Sequence, residues 1–275
     1  MTVRYVSAAL VTGAAVFAVS VTQAHETWLL PVDFTAEPGQ SIEFRMTSGM
    51  DFPALGSGID RRRVTESVLH QDGDSQGLVP SGATQGALEL SAIPGPGLAC
   101  AWVRLRPRIL EIESSEDVEH YLEEIGAPEN VWSTWRQREA GTVWRESYSK
   151  LARTYLQGEL KGASTARIVS CLGETSEARF EILPLADPTG LVAGQSLQLQ
   201  VLFDGEPLPG QAIGLLREGA EPARLMRSDA DGRITVTPDG SGRHMLYATN
   251  LRPVDAADYN WESDFITLTF EISAP

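Results

Sequence analysis

His25 stands directly after Ala24 in the stretch VTQAHETWLLP, residues 21–31. A chain cut between the two would begin with histidine and carry a free amine and an imidazole on one residue. With pKa values of about 8 and 6.5, both nitrogens bind a divalent ion near neutrality. Nitrogen ligands of this kind suit copper, nickel or zinc. One residue supplies at most two ligands, so another His, Asp or Glu must come from elsewhere. The remaining histidines are His70, His120 and His244. His120 falls in an acidic helical stretch and is expected in solvent. His70 precedes the loop QDGD and is open as a ligand or a bystander. His244 begins the run HMLYAT, where residues 244, 246, 248 and 250 share a strand face.

Other chemistries find little support. HETWL lacks the second histidine of HExxH, so a zinc-protease reading fails. No GxSxG, no P-loop and no GxGxxG after a strand is present, and no enzyme activity is expected. SDADGR has too few alternating acids for a calcium loop and no terminal Glu. It reads as a hairpin turned at Asp231-Gly232. DRRRV, 60–64, is the basic run; it is expected on a solvated surface or paired with the acidic helix.

Two cysteines, Cys100 and Cys171, each lie in a strand-like run, LACAWVRL and ARIVSCLG. In an oxidising compartment an even pair suggests one disulfide. It would close the base of the helical excursion between them, a loop of about 70 residues worth about 4 kcal/mol in the chain-entropy treatment. Two thiols without CxxC spacing are a weaker argument for a thiolate metal site.

Residues 1–24 read as a secretory signal. Arg4 opens a charge-free apolar run of about 15 residues, short of the roughly 20 that a membrane span needs. Thr22 and Ala24 are the small residues at −3 and −1 of a cut before His25. The protein is therefore expected in the periplasm or outside the cell. Formal charge is −15 for the whole chain; the signal carries one Arg and no acid, so its loss gives −16. This balance argues against nucleic acid and anionic membrane surfaces as partners.

The elements that must position these residues are mostly strands. SIEFRM puts Ile42, Phe44 and Met46 on one face, the period of a half-buried strand. GALELSAI, ACAWVRL, SLQLQVLF, HMLYAT and FITLTFEI read likewise. Residues 114–161 change character. Val118, Tyr121, Leu122 and Ile125 fall on one helix face, with a serine cap at 114 or 115, acids in the first turn, and Gly126 and Pro128 as the stop. A second short helix is expected to carry Val131, Trp132 and Trp135. A third is expected through TVWRESYSKLARTYLQ, with Trp144, Tyr148, Leu151 and Tyr155 at helical spacing. These aromatics are expected to pack helices onto a sandwich. PLADPTG, 184–190, looks like a linker into a second set of short strands.

AHETWLLP, PGQSIEFRMTSG, HYLEEIGAP, RESYSKLART, VLFDGEPLPGQAI, SDADGRITV and NWESDFITLTF occur in this order. As a set they resemble an exported bacterial domain-of-unknown-function family often labelled as the periplasmic component of nickel or cobalt uptake. The resemblance covers essentially the whole mature chain. It implies a mainly β protein of two β-sandwich domains (Ig-like or transthyretin-like), the first with a helical insertion. The expected division is signal 1–24, first sandwich 25–186 with the insertion at about 114–161, and second sandwich 187–275. It also implies a site that includes the mature N-terminal histidine, which maps to His25. Where the pattern calls for a further histidine near the end of the penultimate strand, this chain has Asn250, a poor ligand for copper or nickel.

Two readings follow. The first is a binding protein that holds or delivers a divalent transition metal (nickel, cobalt or copper) for uptake through His25. The second is a structural or interaction module that docks a membrane transporter or outer-membrane receptor without metal.

Overall fold

The computed structural model describes residues 26–37, 39–139, 141–159, 171–221 and 225–273. Residues 1–24, expected to be a signal, and His25 lie outside these residues. The strands, in chain order, are β1 (Glu26–Pro31), β2 (Thr35–Ala36), β3 (Ile42–Gly49), β4 (Ser57–Gly58), β5 (Val64–Gln71), β6 (Asp74–Gly77), β7 (Val79–Ala83), β8 (Leu88–Ala92) and β9 (Gly97–Ile112). Two helices follow, α1 (Ser115–Glu124) and α2 (Glu129–Arg136). Then come β10 (Trp144–Gly158), β11 (Phe180–Pro184), β12 (Leu197–Phe203), β13 (Glu206–Pro207), β14 (Ala212–Arg217), β15 (Met226–Arg227), β16 (Arg233–Val236), β17 (Gly242–Pro253) and β18 (Trp261–Ile272). The protein is mainly β, as its alternating runs predict. Among the described residues no helix is long and apolar enough to cross a membrane.

A nine-stranded sheet, β15-β14-β17-β18-β10-β9-β5-β6 with β2 on β10, is the central wall. A five-stranded sheet, β1-β3-β8-β7 with β4 on β3, and a four-stranded sheet, β11-β12-β13 with β16 on β12, complete the strands. The parity of β9 shows how the wall is used. Leu98, Cys100 and Trp102 enter one core with Ile182, Leu199 and Leu268. Ala99, Ala101, Val103 and Leu105 enter another with Leu29, Phe44 and Leu90. Burial on both faces is why LACAWVRL reads as an unbroken apolar run instead of an alternating one. The boundary expected at 186/187 falls after β11. The central sheet draws strands from both sides of it, because β18 pairs in parallel with β10 from Glu146↔Trp261 to Thr154↔Thr269.

Both short helices form where expected. Ser114 Oγ caps α1 by accepting from the Asp117 amide at 3.3 Å. Val118, Tyr121, Leu122, Val131 and Trp135 face a common core with Trp144 and Trp261, whose rings stack at 4.2 Å. The expected third helix is corrected: Trp144–Gly158 is strand β10, hydrogen-bonded to both β9 and β18. SDADGR is a tight turn but not a hairpin, since β15 pairs with β14 and β16 with β12. Asp229 holds the turn by accepting from the amides of Asp231 and Arg233 at 2.9 and 2.8 Å. Gly232 takes φ +68°, and a Cβ there would lie 2.7 Å from the Val201 carbonyl oxygen.

Cys100 and Cys171 form a disulfide across Cα atoms 6.0 Å apart. Cys100 lies in β9 as expected, but Cys171 lies in a turn rather than a strand. The bridge therefore ties the wall to the segment leading into β11. Its 71-residue separation corresponds to about 4 kcal/mol of lost unfolded-state entropy.

His244 is buried in β17, stacked on Phe270 at 5.4 Å, with Nδ1 donating to the Gly242 carbonyl at 2.9 Å. Burial pushes its pKa below the usual histidine value. The Gly242 bond opposes that shift, Arg217 adds to it and Asp239 opposes it. The folded state thus holds the proton less tightly than the unfolded chain. The associated stability is complete above about pH 6.5, the ordinary histidine value, and is lost as the pH falls through the lower folded value. Denaturant midpoints between pH 7.5 and 5 should fall for the natural protein. His244→Phe should flatten that part of the curve; an unchanged slope would show that other groups govern it.

Candidate functional site

Glu26 opens β1, the strand that joins the five-stranded sheet to the central wall. β1 pairs with β3 from Glu26↔Gly49 to Pro31↔Phe44. Thr267 and Thr269 of β18 fix it from the other side, their hydroxyls donating at 2.7 Å to the carbonyls of Thr27 and Leu29. Trp28 and Leu30 pack with Phe34, Phe52 and Met245, while Leu29 enters the opposite core. A strand held on both faces and along its backbone gives its first side chain a defined place.

That side chain lines a cavity of about 10 Å³ with Glu124 and Ile125 at the end of α1, Ala212 of β14, Leu225, and Tyr247, Ala248 and Thr249 of β17. The volume is that of a single water or ion and excludes an organic ligand. Glu26 Oε2 is buried and has no hydrogen-bond donor among the described residues. Burial pushes the Glu26 carboxyl up to about 7; Lys150 opposes this and Glu124 adds to it. Burial also raises the Glu124 carboxyl, against the pull of His120. Tyr247 is pushed up to about 12, by burial first and then by the two glutamates. The cavity therefore disfavours negative charge on its own carboxylates, the condition that a bound cation relieves.

Behind Glu26 lies a second polar layer. Lys150 of β10 is 9% exposed. Its Nζ donates to Thr27 Oγ1 at 3.1 Å and sits 5.0 Å from the centre of the Phe265 ring. Burial lowers its pKa to about 8, with Glu26 opposing, Arg63 adding and Glu146 opposing. Glu146, four residues earlier, is fully buried. Its carboxylate accepts from Tyr121 Oη at 3.0 Å, from Trp144 Nε1 at 2.8 Å and from Ser263 Oγ. Three donors anchor Glu146 as a structural carboxylate, whereas Glu26 has one oxygen without a donor among the described residues.

The residues singled out from the sequence are dispersed. His25 itself lies outside the described residues. His70 contacts Ser75 Oγ at 2.9 Å and Glu174 Oε1 at 3.3 Å and stacks on Trp102. His244 is in the core and His120 is on the exposed side of α1. Asn250 donates to Gln211 Oε1 at 3.3 Å and accepts from Arg252 at 3.1 Å; Ala248 and Thr249 line the cavity, and Asn250 does not. Among the described residues no group of three or more His, Cys, Asp or Glu converges on one point. The sequence pattern did not single out Glu26, Glu124, Tyr247 or Lys150. The available signals were the position of Glu26 next to His25 and the rarity of lysine, of which the chain has two.

No curated protein matches the sequence. Among solved structures, a marsupial T cell receptor aligns over 91% of this chain and 75% of its own, at 12% identity and a TM-score of 0.21. Three N-terminal domains of the bacteriophage RB49 highly immunogenic outer capsid protein (Hoc) align over 91% and 100%, at 8% identity and a TM-score of 0.19. A family profile matches residues 22–251, and the chain belongs to that family, described as a domain of unknown function, DUF4198.

Proposed function

We propose that the protein is exported and that it binds a divalent transition metal (nickel, cobalt or copper) at its mature N-terminus and delivers it for uptake. The observation that carries this reading is the seat of Glu26. The residue that follows His25 in the chain lines an ion-sized cavity shared with Glu124, and its buried Oε2 has no donor among the described residues. A chain starting at His25 would add an amine and an imidazole to those oxygens, a mixed nitrogen and oxygen set within the range of these metals. The small residues Thr22 and Ala24, the apolar run before them and the disulfide suit export. The label often attached to similar sequences, periplasmic nickel or cobalt uptake, points the same way. Delivery implies a membrane transporter or outer-membrane receptor as partner.

The second reading is a docking module for such a transporter or receptor without metal. It is favoured by Asn250, which stands in the expected histidine's place and is held by Gln211 and Arg252. Calorimetric titration of copper, nickel and cobalt separates the two. The protein is first shown by mass to begin at His25, and compared with a form that retains Ala24. Retaining Ala24 removes the terminal amine from the histidine and should weaken binding by about tenfold or more, as should Glu26→Gln. Equal or absent binding in all three forms would overturn the metal reading.

A further inference from the structure

The hairpin of β5 and β6 brings together side chains that no linear motif records. It turns through Asp72-Gly73, whose φ angles of 54° and 82° are the two positive values of a type I′ turn. Across the hairpin His70 faces Ser75. Further along, Leu78 donates its amide to the Ser67 carbonyl at 3.0 Å. Counted back from that bond, His70 and Ser75 exchange no backbone hydrogen bonds, the kind of pair whose side chains come closest. β6 is the last strand of the central sheet, so the Ser75 N–H points off its outer edge.

Three groups line up there. His70 Nδ1 lies 2.9 Å from Ser75 Oγ. Its Nε2, buried and without an aligned hydrogen bond, lies 3.3 Å from Glu174 Oε1. Contacts of that kind are common in catalytic sites before substrate binds, and tighten in the complex. The imidazole is fixed, being 6% exposed and stacked on Trp102. Two ties from outside the hairpin place Glu174. Cys171, three residues earlier, is bonded to Cys100, the partner of His70 in β9. Arg153 Nη1 donates to the Glu174 carbonyl at 2.9 Å. The order is an exposed hydroxyl, a buried imidazole and a half-exposed carboxylate. We propose that Ser75 is a nucleophile activated by His70, with Glu174 as positioning residue, and that it takes the acyl group of a short carboxylic ester.

The roles follow from the contacts. The Glu174 carboxylate favours the tautomer with its proton on Nε2, which leaves the Nδ1 lone pair for the Ser75 hydroxyl. Ser75 Oγ attacks the ester carbonyl carbon and its proton passes to Nδ1. The negative charge on the carbonyl oxygen meets the outward N–H of Ser75. The bond to the alcohol oxygen then breaks, and the alcohol leaves with the proton from Nδ1. Water attacks the acyl-serine, again giving its proton to Nδ1. The acid departs and Ser75 regains its hydrogen. Glu174 stabilises the imidazolium in both halves. Ser75 is exposed at a sheet edge, so a short ester reaches it directly from solvent.

The test uses the whole mature protein in chelator, so that its outcome is independent of metal. A fluorophosphonate probe is followed by mass spectrometry, and hydrolysis of p-nitrophenyl acetate is followed by absorbance. A single adduct on Ser75 is expected, with ester turnover that Ser75→Ala abolishes. The melting temperature of Ser75→Ala should be unchanged, since the side chain is exposed. His70→Gln should lower turnover by about 100-fold or more, the scale of losing a general base. Glu174→Gln should lower kcat and leave KM unchanged, because Glu174 does not touch the ester. If His70→Gln fails to fold, the adduct and Ser75→Ala decide the matter alone. Any of three results would overturn the proposal: no adduct on Ser75, an adduct on a different serine only, or equal turnover by the natural protein and Ser75→Ala.

Discussion

Replacing Arg153 with methionine is expected to cost about 3–5 kcal/mol of folding stability, the usual penalty for leaving one member of a buried ion pair alone. Arg153 projects from β10 into the core and is fully buried. Its Nη2 makes an ion pair with Glu181 Oε2 at 3.0 Å. Nη1 donates to the Glu174 carbonyl at 2.9 Å and to Tyr155 Oη at 3.4 Å, and the guanidinium lies 5.1 Å from the centre of the Trp102 ring. Glu181 also accepts from the amide and hydroxyl of Ser176. One guanidinium thus joins β10 to β11 and to the segment after Cys171. Without it Glu181 keeps Ser176 but loses its cation in a medium that solvates charge poorly. The double variant Arg153→Met/Glu181→Leu should recover most of the loss, because removing both charges removes the desolvation cost as well. Urea denaturation of the two variants decides it. A single-variant loss of only about 0.5 kcal/mol, the scale of surface changes, would sink the argument.

What the sequence could reveal followed from how locally each element is determined. β3 and β12 each have one solvated face, so SIEFRM and SLQLQVLF alternate and read correctly. α1 carries its own cap and its own apolar stripe. β10 did not read correctly, for two reasons. Its inner half is buried on both faces, with Leu151 and Tyr155 in one core and Ala152 and Leu156 in the other, so no period-2 signal survives. Its Glu, Lys, Leu, Ala and Arg residues are also helix formers, and helix propensity is a prior that sheet pairing overrides. The spacing of Trp144, Tyr148, Leu151 and Tyr155 then imitated a helix stripe. The cavity was illegible for another reason. Glu26, Glu124 and Tyr247 come from β1, α1 and β17, and no local pattern records that these three elements meet.

Lys150→Met is expected to act on stability and on the proposed site together. In the folded protein the buried ammonium acts electrostatically on both Glu26 and Glu146, opposing the burial that raises both carboxyls. Removing it should cost about 3–5 kcal/mol, as for other buried charges left without a partner. The two glutamates would respond differently. Glu146 retains its three donors. Glu26 has an oxygen with none among the described residues, so it should take up a proton and titrate above its present value of about 7. A protonated carboxyl is a poor ligand, because metal binding requires the deprotonated form. At pH 7 metal affinity should therefore drop by about tenfold or more, the scale of losing a group that tunes a ligand. It should recover as the pH is raised past the new Glu26 value. Lys150→Arg, which keeps a cation against Thr27 and Phe265, should retain more of both stability and affinity. Calorimetric titrations at pH 6, 7 and 8 on the three proteins separate the effects. A loss of affinity independent of pH would mean that Lys150 only holds β1 in place through Thr27. A loss that vanishes at high pH would place Lys150 as the group that keeps Glu26 ionised and able to bind metal.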